Sequence, residues 1–287
     1  MPTARLDDRA IVSVSGPDAE HFLQNIVTAD LDALRPGEAK PSALLTPQGK
    51  ILFDFLISRN GADALRLDCR ADVADDFMRR LALYKLRAKV EISKQDESLA
   101  MVSWGNDSSP SENDSSWLRD TRFPQSAPAW RSYEAGAPSG GASAWHAFRI
   151  ASGIAESGAD YALGDAFPHD VLLDQMDGIG FRKGCYVGQE VVSRMQHRGT
   201  ARRRVLVVSG SGAPLPAQGT EIVSNGRPIG MLGSTADGKG LAILRIDRVK
   251  DALDTGTAIE ADGVPLSVAI PDWAAFTYPE QASSGDA

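Results

Sequence analysis

At residue 204 the texture of the chain changes, and that change divides the fold. From Arg204 to Pro271 only short strands and tight turns are readable. Val205 to Val208 form one apolar run, and Ile222, Val223, Ile229, Leu241, Ile243 and Leu244 cluster in others. Leu215-Pro216-Ala217-Gln218-Gly219 is a turn, and Asn225-Gly226 and Asp237-Gly238 are hairpin dipeptides. This pattern predicts a small antiparallel β-barrel over residues 204–272, followed by a polar tail at 273–287 that is mobile from Tyr278 onward.

Before residue 204, strands and helices alternate, which predicts an α+β domain over residues 1–203. Residues 9–15 alternate as a strand. Ser15-Gly16-Pro17-Asp18 then has the form of a capping box ahead of a helix bearing Ala19, Phe22, Leu23, Ile26 and Val27 on one face. Residues 42–46 and 51–57 read as strands about the turn Pro47-Gln48-Gly49-Lys50, and Asn60-Gly61 leads to another at 64–69. From Asp72 a helix turns Val73, Phe77, Leu81 and Tyr84 inward. Arg79, Arg80, Lys85 and Arg87 suit its C-terminal dipole as a solvated end. Residues 87–92 read as a strand. Composition predicts a loosely organised insert about residues 105–143 that still contains a short strand, Ser98 to Trp104. A helix is expected over 146–154, and Leu172, Leu173 and Met176 read as a helix packing into the core.

Composition excludes several classes. A net charge of −8 argues against nucleic acid as the main partner, and no apolar run approaches the ~20 residues needed to span a bilayer. The two cysteines, Cys69 and Cys185, are too few for a disulfide framework or for an all-cysteine iron–sulfur site within one chain. The four histidines have no zinc-type spacing. The N-terminus lacks a signal-peptide core, which predicts a cytoplasmic protein, or a mitochondrial matrix one in a eukaryote.

The chemistry concentrates in Phe181-Arg182-Lys183-Gly184-Cys185-Tyr186-Val187-Gly188-Gln189-Glu190. The spacing predicts a tight loop feeding a helix near Gly188, where free N–H groups and Lys183 favour a thiolate at Cys185. The residues leave two roles open, a reactive thiol or a small buried side chain. Residues 178–204 hold seven Lys or Arg against Glu190 alone, a local reversal of sign. Those bases could guide an anion or form a solvated linker. Asp54 interrupts an apolar strand, and Thr28 and Asp30 stand at a helix exit. Each is open to a pocket role or an ordinary surface one.

Lys183-Gly184-Cys185-Tyr186-Val187-Gly188-Gln189-Glu190 resembles the signature of the YgfZ family of folate-binding proteins, within the superfamily of the glycine-cleavage T-protein. Arg194 and Arg198-Gly199 fit that pattern. So do Phe22-Leu23-Gln24-Asn25 with Thr28-Ala29-Asp30, and Leu44 to Lys50 with Asp54. The resemblance covers about residues 5–95 and 145–272. It implies a GcvT/YgfZ-like folate-binding domain with tetrahydrofolate as cofactor and iron–sulfur assembly or client proteins as partners. Cys185 and Lys183 are the implied reactive pair. The implied folate contacts are Lys183, Gly184, Tyr186, Gly188, Gln189, Glu190, Arg194, Asn25, Thr28, Asp54 and Asp170, the last standing where the family usually has glutamate. Two alternatives are a folate-dependent aminomethyltransferase, with Asp76 near the T-protein's acidic position, and a non-catalytic scaffold or carrier for iron–sulfur clients.

Overall fold

The computed structural model describes residues 2–95, 99–105, 116–134 and 136–279. The chain opens with β1 (Thr3–Arg5), β2 (Arg9–Ser15) and α1 (Ala19–Gln24). The capping box does not form. Asp18 occupies the N-cap without a side-chain bond to α1, and its carboxylate accepts from the Lys89 backbone N–H at 2.7 Å instead. α1 ends before Ile26 and Val27, which are buried all the same.

β3 (Glu38–Leu45), β4 (Ile51–Arg59) and β5 (Ala64–Arg70) form the expected antiparallel set. A 3-10 turn (Ala71–Val73) leads into α2 (Ala74–Lys85), which lays Ala74, Phe77 and Leu81 on the sheet; Phe77 meets the Phe53 and Phe55 rings at 5.0 Å. The strand expected at 87–92 begins later, as β6 (Glu91–Lys94), because a tight turn closed by Ala88 N–H to the Lys85 carbonyl occupies the intervening residues.

Residues 116–134 of the polar insert are more ordered than its composition predicts. β7 (Met101–Trp104) precedes it, and β8 (Trp117–Asp120) and β9 (Ala129–Ser132) lie within it; Ser98 and residues 106–115 fall outside the described residues. β8 runs parallel to β3, and this single junction joins β1, β7, β9 and β8 to the rest. Among the described residues the result is one nine-stranded sheet, ordered β1-β7-β9-β8-β3-β4-β5-β2-β6. α3 (Ala142–Ala151) buries Trp145 completely against Trp104, Phe123 and Phe148. Residues 167–177 are a chain of turns rather than a helix, with Leu172 at φ 64°, yet Leu172, Leu173 and Met176 are buried as expected.

α4 (Gln189–Arg198) leads to the barrel, whose strands are β10 (Arg203–Gly210), β11 (Glu221–Ser224), β12 (Arg227–Ala236) and β13 (Lys239–Arg245), then β14 (Ile259–Ala261) and β15 (Val264–Ala269) after a helix. They close in the order β10-β13-β12-β11-β14-β15. The helix, α5 (Ile246–Thr255), was not expected in an all-β module; it packs Ile246, Val249 and Ala252 onto the barrel core. The first residues of the expected polar tail are packed too. Trp273 donates from Nε1 to the Ser152 carbonyl at 2.7 Å, and Phe276 lies under the Arg204 guanidinium.

Candidate functional site

Two earlier segments clamp the loop before α4. The first is the exit of α1. Thr28 is fully buried; its hydroxyl donates to the Gly178 carbonyl at 2.8 Å and accepts from the Ala43 N–H at 2.9 Å. The Thr28 carbonyl accepts from the Gly180 N–H at 2.8 Å. Lys183 then reaches back, its Nζ donating to the Val27 and Ala29 carbonyls at 2.8 and 2.7 Å. A Cβ on Gly180 would stand 2.6 Å from the Lys183 side chain, so only glycine leaves room for that reach. Burial lowers the Lys183 ammonium to about 8, against the opposing pull of Asp30 and Asp32.

The second clamp is the β3–β4 turn. Gly188 caps α4 at φ 79°, and a Cβ there would stand 2.5 Å from the Thr46 carbonyl oxygen. Gly49 at φ 79° faces it, where a Cβ would stand 2.9 Å from Val191. Two glycines thus permit backbone-to-backbone approach between segments some 140 residues apart in sequence.

Between the clamps the loop faces outward. Cys185 is exposed, and a Cβ on Gly184 would meet nothing within 4 Å. Tyr186 turns inward and is nearly buried, its ring 5.1 Å from the Lys183 ammonium; burial pushes its phenol up. Tyr186 therefore fills the core beneath the thiol rather than offering a face for stacking. Cys69 is the opposite of Cys185: fully buried, with its thiol pushed up to about 12 by desolvation. The arrangement presents one reachable thiol on a fixed platform.

Most other expected site residues are already engaged elsewhere. Glu190 and Arg194 pair with each other at 2.6 Å on the exposed face of α4, where Gln189 is the first residue. The Asn25 amide donates to the His21 carbonyl at 2.7 Å and is exposed. Asp170 is buried, accepts from the Phe167 N–H at 3.0 Å, and is pushed up by that burial. Arg203 lies 3.8 Å from Asp170, and Arg204 binds Asp174 at 2.6 Å. These two arginines tie the barrel to the first domain. Asp76 is exposed and paired with Arg79 in α2.

Sequence reasoning missed a buried charged network on the concave side of the sheet. Asp68 of β5 accepts from Arg9 Nε at 2.6 Å and from the Tyr133 hydroxyl at 3.1 Å, and lies 3.4 Å from Arg131 of β9. β8, β3 and β4 separate those strands, so the sheet curls to bring them together. Arg131 also meets Asp120, which binds Arg122 at 2.7 Å; Glu156 lies 3.3 Å from Arg149, which binds Asp160 at 2.8 Å. Burial pushes Asp120 and Glu156 up, but their arginines outweigh it and hold both below the usual carboxylate range. Asp54 sits at the margin, hydrogen-bonded to Tyr161. The sequence signals were Asp68 within the strand at 64–69 and Asp54, which interrupts the apolar run at 51–57. A polar cleft of about 500 Å³ opens on this network, lined by Arg9, Arg70, His146, Glu156, Ser157 and Gln218 among others. Ser157 Oγ is buried there without a hydrogen-bond partner among the described residues.

The residues implied for tetrahydrofolate do not enclose one cavity: Thr28 and Lys183 are spent on backbone, Asp54 lies with the network, and Asp170 lies at the barrel. The polar cleft suits a pterin better, having buried arginine and carboxylate groups and an unpartnered hydroxyl.

Curled sheet, clamped loop and closed barrel together define a T-protein-like fold carrying a separate C-terminal barrel. Residues 9–106 match the GCVT N-terminal domain, and residues 202–276 match the CAF17 C-terminal beta-barrel domain. The crystal structure of glycine cleavage system aminomethyltransferase T from Bartonella henselae superposes with a TM-score of 0.70 over 97% of this chain and 88% of that one, at 14% identity, a likeness of fold alone. The mitochondrial iron-sulfur cluster assembly factor IBA57 of Mus musculus is 32% identical over 94% of this chain and 84% of its own length. The Homo sapiens protein of the same name is 30% identical over the same shares. The chain belongs to the IBA57 family. The resemblance read from the signature reached the right superfamily, and the family shown within it is IBA57.

Proposed function

We propose that this protein supports the assembly of iron–sulfur clusters in client proteins, with Cys185 as the group that touches the cluster. The relatives at 32% and 30% identity are named as iron-sulfur cluster assembly factors. The observation that carries the reading is the exposed thiol of Cys185 on a loop clamped from two sides. One thiolate cannot hold a cluster. Among the described residues, no group of three or more His, Cys, Asp or Glu could hold a metal ion. The cluster is therefore cargo, shared with ligands from a partner, either an assembly or client protein or a second copy of this chain.

Tetrahydrofolate belongs to the proposal at the polar cleft, where Arg9, His146, Glu156 and Ser157 would hold it. When bound, a reduced folate supplies a one-carbon carrier. Asp76, the acid on which the aminomethyltransferase reading relied, is exposed and paired with Arg79, so it does not supply the positioned carboxylate which that reading needs. The relatives' names place them in mitochondria, which favours the matrix for this chain in a eukaryotic cell and the cytoplasm otherwise.

The test is a strain whose sole copy carries Cys185→Ser, together with absorbance after anaerobic cluster reconstitution of wild type and variant. Folded variant with failing iron–sulfur enzymes is expected. Normal activity of those enzymes would refute the role of the thiol. Anaerobic calorimetry with tetrahydrofolate, for wild type and Ser157→Val, tests the cofactor separately: silence in wild type removes folate and leaves the cluster reading standing.

A further inference from the structure

The C-terminal end of α2 carries a feature that the iron–sulfur reading does not use. Leu83 is 68% exposed and Leu86 is 90% exposed. Leu86 has φ 43° and ψ −105°. With the Ala88 N–H bonded to the Lys85 carbonyl at 2.8 Å, it holds the first central position of a II′-type turn, which is glycine's place. Here a leucine is held there and pointed at solvent. The turn is braced from below: the Lys89 N–H donates to Asp18, and Gly16 lies against the Lys89 carbonyl. Among the described residues no packing accounts for the leucine, and a strained position that serves no packing is a pointer to function.

The surroundings are basic. Residues 77–90 include Arg79, Arg80, Lys85, Arg87 and Lys89 and no acid, and the acids nearest the turn are Asp18, bonded to the Lys89 backbone N–H, and Glu91 at the start of β6. Arg79 pairs with Asp76, but Arg80, Arg87 and Lys89 make no ion pair among the described residues. A solvated helix end explains the bases but not two leucines among them. The chain carries −8 overall, yet at contact range the local sign decides, because salt screens charge beyond about 10 Å.

We propose that this tip docks the protein on an anionic bilayer surface, with Leu86 and Leu83 entering the interface and Arg80, Arg87 and Lys89 facing lipid phosphates. A fluid interface accepts a protruding side chain without a matching pocket. A protein partner needs a complementary face of about 800 Å² on each side, and two leucines on a convex turn do not supply one. The contact is peripheral: among the described residues, no helix is long and apolar enough to cross a membrane.

The test is co-sedimentation of the full chain with vesicles of phosphatidylcholine mixed with phosphatidylserine, and of phosphatidylcholine alone, at low and physiological salt. Wild type should partition onto the anionic vesicles only, and less in salt. Arg80→Gln and Arg87→Gln should each weaken it about fivefold. Leu86→Gly separates docking from folding, since it relieves the backbone and should keep or raise the melting temperature while lowering partition about tenfold. No partition by wild type would overturn the proposal and leave the tip to an acidic protein partner. Equal partition by Leu86→Gly and wild type would also overturn it.

Discussion

Gly188 and Gly184 stand four residues apart in one loop, and the structure assigns them opposite tolerances. Gly188→Ala places a side chain at φ 79°, where an L-residue is strained by about 1–2 kcal/mol. Its Cβ would also stand 2.5 Å from the Thr46 carbonyl oxygen and 3.0 Å from Leu45 Cβ. Thr46 opens the β3–β4 turn and Leu45 ends β3; a backbone oxygen and a Cβ cannot rotate away, and such overpacking costs about 1–3 kcal/mol more. The expected loss is about 3 kcal/mol, or roughly 5–10 °C in melting temperature for a domain of this size. Gly184→Ala meets no atom within 4 Å and needs no left-handed backbone, so it should stay within about 0.5 kcal/mol of wild type. Thermal and urea unfolding measure both variants. The rate of disulfide exchange at Cys185 in the native state adds a local readout: it should change in Gly188→Ala, whose loop must shift, and hold in Gly184→Ala. Equal destabilisation by the two, or a greater loss at Gly184, would refute the close approach between loop and turn.

Lys183 gives a pH signature. Its folded pKa, about 8, lies below the ordinary 10.5, so above pH 8 the unfolded state holds the proton that the folded state has released. Stability from this group therefore rises with pH between about 8 and 10.5. The unfolding free energy of wild type minus that of Lys183→Met should climb through that window, and a flat difference would show the ammonium is not buried. In the charged network, Asp68→Asn leaves Arg9 and Arg131 without their shared carboxylate and should cost about 3–5 kcal/mol by urea unfolding; a loss under about 1 kcal/mol would mean the arginines find other partners.

Legibility followed the range of the forces involved. The barrel hairpins were readable because a two-residue turn is set by its own residues: Asn225-Gly226 and Asp237-Gly238 all adopt positive φ, as a type I′ turn requires. Asp262-Gly263 carries the same signal between β14 and β15, and sequence reading passed over it. α5 was missed although Ile246, Val249 and Ala252 have helical spacing, because the surrounding strands set the expectation. Within the described part of the insert, Leu118, Ala129 and Arg131 are buried by partners far away in the chain, which its polar composition does not reveal.

The sequence alone determined the superfamily and the α+β domain with its barrel, since contiguous motifs and local periodicity need no distant information. Tertiary structure decided what each side chain does. Lys183 was expected to serve the thiolate or a folate; it binds two carbonyls at the exit of α1, which only folding brings within reach. Cys185 is exposed and Cys69 buried, a difference neither residue's neighbours in sequence encode. The charged network joins strands β2, β5, β8 and β9, and it exists only because the sheet curls until its separated strands face one another.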